Sequence, residues 1–399
     1  MGRPSEGLLQ YYERQGISPV RYDLDDIEAH FDRRDSLYRA LGLPPAAFCG
    51  ARVLEVAAGS GQNSLYIASC RPASYDLVEP NLTGIRDIRA AYEGLRIPHA
   101  KPQLHTVQFE KFEARAAYDV VLCENWLGSV PGEIAMIRKL ASLVAPGGVL
   151  ALTFVPHCGF FPNIMRKLLT LRILDQSLSF EEQTKQLEAV FSPHLSSIAH
   201  MTRGHRDWVQ DTMLNPHYLT IALAPETVIE ATGGDMEALA TFPRFTPDWR
   251  WFKELTGAKR CFNAHLLNAY RENLHNFSDY RRVFPPRAAS ANLRLDASIQ
   301  AIHQVALAWP AGARVADDCN APALVERVDE QLSVVCTEFA QISEGLGAAV
   351  DELRSVWQYK RMDASMVRDM RDFATLFGRE TVYVSFTRRR RAATPQDNE

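Results

Sequence analysis

The chain has no Cys-x-x-Cys pair, and its seven cysteines (Cys49, Cys70, Cys123, Cys158, Cys261, Cys319 and Cys336) are odd in number and irregularly spaced. That pattern argues against a disulfide framework and a zinc site. Several of these cysteines sit in apolar runs, where a free thiol packs as a small hydrophobe, so a reducing, cytoplasmic setting is expected. No His-x-x-x-His or His-Glu-x-x-His spacing occurs, and no metal is expected. Long apolar runs are missing too. No stretch of 18 uncharged apolar residues exists, which argues against a membrane span, and the N-terminus lacks the basic-then-apolar order of a signal peptide. Charge of one sign is scarce: the formal net charge is −4, which disfavours nucleic acid as a whole-chain electrostatic partner without removing it. What remains is an ordinary globular balance, 46% hydrophobic and 23% charged, in 399 residues that can bury a large core.

Against that background one segment stands out. Residues 53–64 read Val-Leu-Glu-Val-Ala-Ala-Gly-Ser-Gly-Gln-Asn-Ser. Val53 to Val56 is an apolar run suited to a buried parallel strand, Gly59 and Gly61 sit where it must turn, and Asn63 and Ser64 open a helical pattern continued by Leu65, Ile67 and Ala68. A strand, a glycine turn and a helix start present free backbone N–H groups to a ligand, and glycine permits close approach. A second strand, Leu77–Val78, ends in Glu79, 24 positions after Glu55. That is near the spacing at which a nucleotide fold sets a carboxylate on a ribose diol. Residues 51–154 go on alternating strand and helix, which predicts an α/β, doubly wound, mainly parallel sheet with ligands beyond the carboxyl ends of its strands.

The run Glu55-Val-Ala-Ala-Gly-Ser-Gly61 resembles the first motif of the class I S-adenosylmethionine-dependent methyltransferases, roughly E/D-x-G-x-G-x-G, with Ala57 standing where that family has its first glycine. Ala117-Tyr-Asp-Val-Val-Leu-Cys-Glu-Asn125 resembles the family's fourth strand. Residues 137–154, with Pro146-Gly147-Gly148 inside them, resemble the next helix, turn and fifth strand. The resemblance implies S-adenosylmethionine as cofactor and a seven-stranded sheet whose last strand is antiparallel. It implies cofactor contacts from Glu55, Ala57, Gly59, Gly61, Asn63, Glu79, Pro80, Phe109, Glu110, Glu124 and Asn125. Glu79 would accept the two ribose hydroxyls. Glu55 would order the loop or reach the methionine amino group through a water. No clear Asp stands at the end of the third strand, expected at 104–109, so the adenine contact falls among Gln108, Phe109 and Glu110.

The expected organisation is an N-terminal helical segment (1–50), whose helix Asp25 to Leu41 the resemblance sets over the cofactor site, and a binding core (51–155). A mainly helical insertion or cap follows (156–376), with a sixth strand near 236–242, then the last strand of the sheet (377–388) and a basic, polar tail (389–399). A separate C-terminal helical domain is the alternative.

The expected activity is methyl transfer to a small or medium organic acceptor, because a helical cap shapes a pocket and excludes water. Oxygen is the preferred acceptor atom, since Glu124-Asn125-Trp126 is not the N/D-P-P-Y motif of amine methylation. Glu124 could be the base or could hold the cofactor's amino group, and His157 is a second candidate base. Trp126, Asp207, Trp208, His217, Tyr218 and Trp249 are candidate substrate contacts, and each has a core or surface reading beside it. RNA or protein is the alternative substrate, motivated by Trp249-Arg-Trp-Phe-Lys253 and the four arginines 388–391. A non-catalytic cofactor-binding protein is a third reading.

Overall fold

Val53, Leu54 and Val56 are each at most 1% exposed, as expected of a strand covered on both faces. They belong to the first of seven strands: β1 (Arg52–Val56), β2 (Ser74–Val78), β3 (Gln103–His105), β4 (Tyr118–Cys123), β5 (Val144–Phe154), β6 (Met236–Phe242) and β7 (Val382–Arg388). The computed structural model describes residues 7–18, 21–129, 132–218, 220, 222–309 and 321–390, excepting the side chain of Ala321. Cys319 and, of the expected tail, residues 391–399 lie outside the described residues.

The strands form one sheet in the order β3-β2-β1-β4-β5-β7-β6. The first five are parallel, and β7 lies antiparallel between β5 and β6. The strand order reverses between β1 and β4, the switch point at which open α/β sheets bind ligands. Val56 pairs with both Val78 and Cys123, so β1, β2 and β4 end level, and Ala57, Glu79 and Glu124 leave the sheet side by side. Helix Ile27–Ala40 packs on this sheet through Leu37 and Tyr38, in a core that includes Phe48, Tyr66, Ile67, Leu77 and Ile88.

Two local expectations are corrected. The third strand is three residues long, not six, and Phe109 lies in a 3-10 turn, Phe109–Lys111. Lys139 holds that turn, its Nζ donating to the carbonyls of Phe109, Glu110 and Phe112 at 2.7, 2.9 and 2.7 Å. Pro146-Gly147-Gly148 does not precede β5 but lies within it, as an irregularity in the β4 pairing between Tyr118 and Val120, with Gly147 at φ +82°.

The chain divides into two compact units. One comprises Met1–Phe154, Leu223–Ala269 and Val382–Glu399 and carries the sheet; the other comprises Val155–Ala222 and Tyr270–Thr381 and is helical. The stretch 223–269, with β6, thus groups with the sheet. In the helical unit the fully buried Arg166 ties segments together, donating to the carbonyls of Leu376, Phe373 and Ala374 at 3.0, 3.2 and 3.1 Å. In the sheet unit two residues of the arginine run are anchored. Arg388 donates to the carbonyls of Ser142 and Val144, and Arg389 pairs with Glu237 at 2.8 Å.

Candidate functional site

The loop after β1 is shaped by three left-handed residues, Ala57 (φ +60°), Gly59 (φ +58°) and Gly61 (φ +72°). The Ala57 N–H donates to the Val78 carbonyl at 2.9 Å, carrying the sheet one residue past β1 before the chain turns. Alanine at that φ carries a steric penalty that glycine does not. Ala57→Gly should therefore stabilise the protein by about 0.5–1 kcal/mol, net of the entropy glycine loses on folding, as read by chemical denaturation. A loss of stability would refute strain at this position.

Gly61 leaves no room for a side chain: a Cβ there would stand 2.5 Å from Ile88 Cγ1. Sequence reasoning missed Gly84. It sits in helix Leu82–Gly94, and a Cβ on it would lie 2.6 Å from the Gly59 carbonyl oxygen and 3.3 Å from Glu79 Cγ. The helix can therefore approach the loop only through this glycine. A glycine inside a helical pattern, where it costs about 1 kcal/mol, was the available signal. Gly84→Ala should push the loop off Glu79, weakening cofactor binding about tenfold and costing about 1–3 kcal/mol in stability. Titration calorimetry and a denaturant melt read both, and unchanged values would show that the contact is not tight.

Glu79, 4% exposed, is fixed beneath the loop. One carboxylate oxygen accepts from the Gly59 N–H and the other from the Asn81 N–H, both at 2.8 Å. Each oxygen keeps a lone pair for a further donor. Burial pushes its pKa up to about 7, against the lowering effect of those two N–H groups. Glu55, buried one residue before the end of β1, accepts from the Tyr75 hydroxyl and is likewise pushed up to about 7, chiefly by burial.

At the end of β4, Glu124 accepts from Arg34 Nη2 at 2.6 and 2.8 Å and from the Tyr38 hydroxyl at 2.8 Å. Both donors come from helix Ile27–Ala40. Asn125 follows at φ +56°, its N–H donating to Thr153 Oγ1 at 2.9 Å. The Phe109 ring is 2% exposed and meets Trp126 edge-on, with centroids 5.9 Å apart. An N-terminal segment completes the wall with Leu8, Tyr12 and Tyr22. Gln62 Nε2 ties it to the loop through the Tyr22 carbonyl at 2.8 Å, and Arg21 pairs with Asp87 at 3.0 Å. The result is a cavity of about 320 Å³ lined by Glu55, Ala57, Gly59, Asn63, Glu79, Pro80, Phe109, Glu110, Glu124, Asn125 and Trp126 among others. The cavity lies at the sheet's switch point, with a glycine loop on one side and an aromatic turn on the other. An adenosine group fits this donor set: a buried carboxylate for a diol, a side-chain-free loop for close approach, and an apolar wall for a base.

Residues 29–192 match a family model described as a methyltransferase domain. Over this stretch, about two fifths of the chain, the sequence is similar to class I S-adenosylmethionine-dependent methyltransferase domains. A ubiquinone biosynthesis O-methyltransferase of Xanthomonas axonopodis pv. citri is 31% identical over 118 residues, 29% of this chain and 46% of that protein. One of the same description from Bordetella bronchiseptica is 30% identical over 101 residues, 25% of this chain and 40% of that protein. The chain thus spans less than half the length of these two relatives. Among solved structures, magnesium protoporphyrin IX methyltransferase from Synechocystis PCC 6803 with bound S-adenosylhomocysteine is similar at 17% identity and a TM-score of 0.34, over 59% of this chain and 90% of that one. The N-methyltransferase NodS from Bradyrhizobium japonicum WM9 is similar at 15% identity and a TM-score of 0.34, over 58% and 88%.

The cavity does not gather every residue singled out from sequence. Gly61 stands behind its wall rather than in it. His157, Asp207, Trp208, His217 and Tyr218 belong to the helical unit and do not line the cavity. Their partners are local. His157 Nδ1 lies 3.5 Å from Asp296, and the Asp207 carbonyl accepts from Arg203. Trp208 is buried edge-on to Phe191, the His217 N–H donates to Asn215, and the Tyr218 ring lies 6.0 Å from that of Phe160. Trp249 is 94% exposed and walls nothing. Sequence reasoning also missed Arg34, Tyr38, Tyr12 and Gln62. Among the described residues no group of His, Cys, Asp and Glu could hold a metal ion, and no helix is long and apolar enough to cross a membrane.

Proposed function

We propose that this chain is an enzyme that transfers a methyl group from S-adenosylmethionine to a hydroxyl oxygen of a small or medium organic acceptor. The observation that carries the reading is Glu79, a buried carboxylate at the end of β2 with both oxygens oriented by backbone N–H groups. It accepts the two ribose hydroxyls. Gly59 and Gly61 let the loop close on the cofactor, Phe109 and Glu110 flank the adenine, and Glu55 and Asn125 face the methionine end. When bound, the cofactor would supply a sulfonium methyl: the acceptor oxygen would take that carbon as the carbon–sulfur bond breaks, leaving the neutral thioether S-adenosylhomocysteine, and the oxygen's proton would pass to solvent water.

Glu124 is already held by two donors, Arg34 and Tyr38, which suits a fixed acceptor for an ammonium group better than a mobile proton carrier. The choice of oxygen is supported by the absence of an N/D-P-P-Y sequence after β4 and by the partial similarity to ubiquinone biosynthesis O-methyltransferases. The test combines calorimetric titration with S-adenosylmethionine and S-adenosylhomocysteine and a labelled-methyl screen of hydroxylated and amine acceptors. Binding of both ligands with label on hydroxyl compounds is expected. Label on amines alone would overturn the oxygen assignment, and no binding of either ligand would overturn the enzyme reading.

A further inference from the structure

The stretch 243–261 follows β6 in the sheet unit and contains no α-helix, only the 3-10 turns Phe252–Glu254 and Gly257–Lys259. Within four positions it presents three aromatic side chains to water: Trp249 is 94% exposed, Trp251 58% and Phe252 66%. Sequence reasoning gave this cluster a core-anchoring role as one option, and the exposures remove it. Trp251 and Phe252 meet edge-on, with centroids 4.9 Å apart, and Lys253 Nζ stands 5.7 and 6.0 Å from the two rings. Clustered exposed aromatics mark a surface that meets something else.

Charge identifies the partner. The stretch holds five cations (Arg244, Arg250, Lys253, Lys259 and Arg260) against Asp248 and Glu254, a net +3 in a chain whose total is −4. Three of the five are already held by carboxylates: Arg250 by Asp248, Lys259 by Glu254 at 3.3 Å, and Arg260 by Glu237 at 2.7 Å. A polynucleotide track needs a row of cations open to phosphates, and here only Arg244 and Lys253 have no carboxylate partner among the described residues. A second copy of the chain, docked face to face, would set +3 against +3. A lipid headgroup layer requires what is present: indole and phenyl rings that lodge at the interface, with a few cations beside them for anionic headgroups.

We infer that residues 243–261 are a peripheral docking loop for an anionic lipid surface. Trp249, Trp251 and Phe252 enter the headgroup layer, and Arg244 and Lys253 meet its phosphates. The inference does not rest on methyl transfer, so either can fail alone. The full chain is tested by sedimentation with vesicles of phosphatidylcholine, with and without phosphatidylglycerol, and by quenching of tryptophan fluorescence with brominated acyl chains. Binding that favours phosphatidylglycerol and weakens with salt is expected. The combined variant Trp249→Ser, Trp251→Ser, Phe252→Ser should bind about tenfold more weakly with an unchanged melting temperature, because these side chains pack on little. Arg244→Gln with Lys253→Gln should remove only the preference for phosphatidylglycerol. Three results would overturn the inference: no partition into either vesicle, equal binding by the triple aromatic variant, or loss in that variant of self-association or single-stranded oligonucleotide binding instead of vesicle binding.

Discussion

Replacing Arg34 by methionine should destabilise the protein by about 3–5 kcal/mol, the usual cost of removing one member of a buried ion pair. The side chains of Arg34 and Glu124 are 8% and 11% exposed, and the Nη2 to Oε1 distance is 2.6 Å. Burial alone would lower the Arg34 pKa, but the charge of Glu124 and its neighbours holds it well above the ordinary guanidinium value. Without Arg34, Glu124 keeps the Tyr38 hydroxyl as its one donor among the described residues. The double variant Arg34→Met, Glu124→Gln should recover most of the loss, because no uncompensated charge then remains. Denaturant melts of the two variants decide it. A single variant within about 1 kcal/mol of the parent would show that water reaches Glu124 through the cleft and that the pair is not structural.

Glu79→Ala should weaken S-adenosylmethionine binding about 100-fold, the loss of two hydrogen bonds to a charged acceptor. The same residue sets a pH dependence. Its folded-state pKa, pushed up to about 7, lies above the ordinary carboxyl range. The folded, unliganded protein therefore holds this proton more tightly than the unfolded chain does. The stability this contributes is complete below the ordinary carboxyl pKa and is lost as pH rises toward 7. Cofactor binding runs the other way, since only the ionised carboxylate accepts from both hydroxyls. Affinity should rise about tenfold between pH 6 and pH 8. Calorimetric titration across that range checks it, with Glu79→Gln as the control that flattens the profile. A parent profile that is already flat would mean that Glu79 stays ionised throughout, and Glu55, also pushed to about 7, would not be contributing either.

What could be read from sequence was local. Val53–Val56, the turn at Gly59 and Gly61, and Glu79 at the end of the next strand are each specified by a few neighbouring residues, the range over which strand, turn and helix signals act. The sixth and seventh strands were legible for the same reason, as short apolar or β-branched runs at 236–242 and 381–387. The third strand was overextended because an apolar Phe109 reads alike as strand or buried turn, and Lys139, 30 residues away, decides between them. Arg34 and Glu124 are 90 positions apart, and nothing near either announces the other. The stretch 194–218, with four histidines, reads alike as a pocket wall or as an interior, and its candidate residues do not line the cavity. That Ala57, standing where the resembled family has its first glycine, occupies left-handed space at φ +60° could not be read from the sequence.

The insertion of β7 between β5 and β6 sets an order on assembly. Residues 155–381 separate the end of β5 from the start of β7, and among the described residues β6 pairs only with β7. At ordinary translation speed, roughly 5–20 residues per second, the ribosome needs about 10–45 s to supply the missing strand. Through that interval one side of β5, and from residue 242 onward both sides of β6, offer unpaired backbone to any neighbouring nascent chain. A message truncated before codon 382 would leave them so permanently, and its product should be found with chaperones or in aggregates even though every residue of the glycine loop and of Glu79's surroundings has been made.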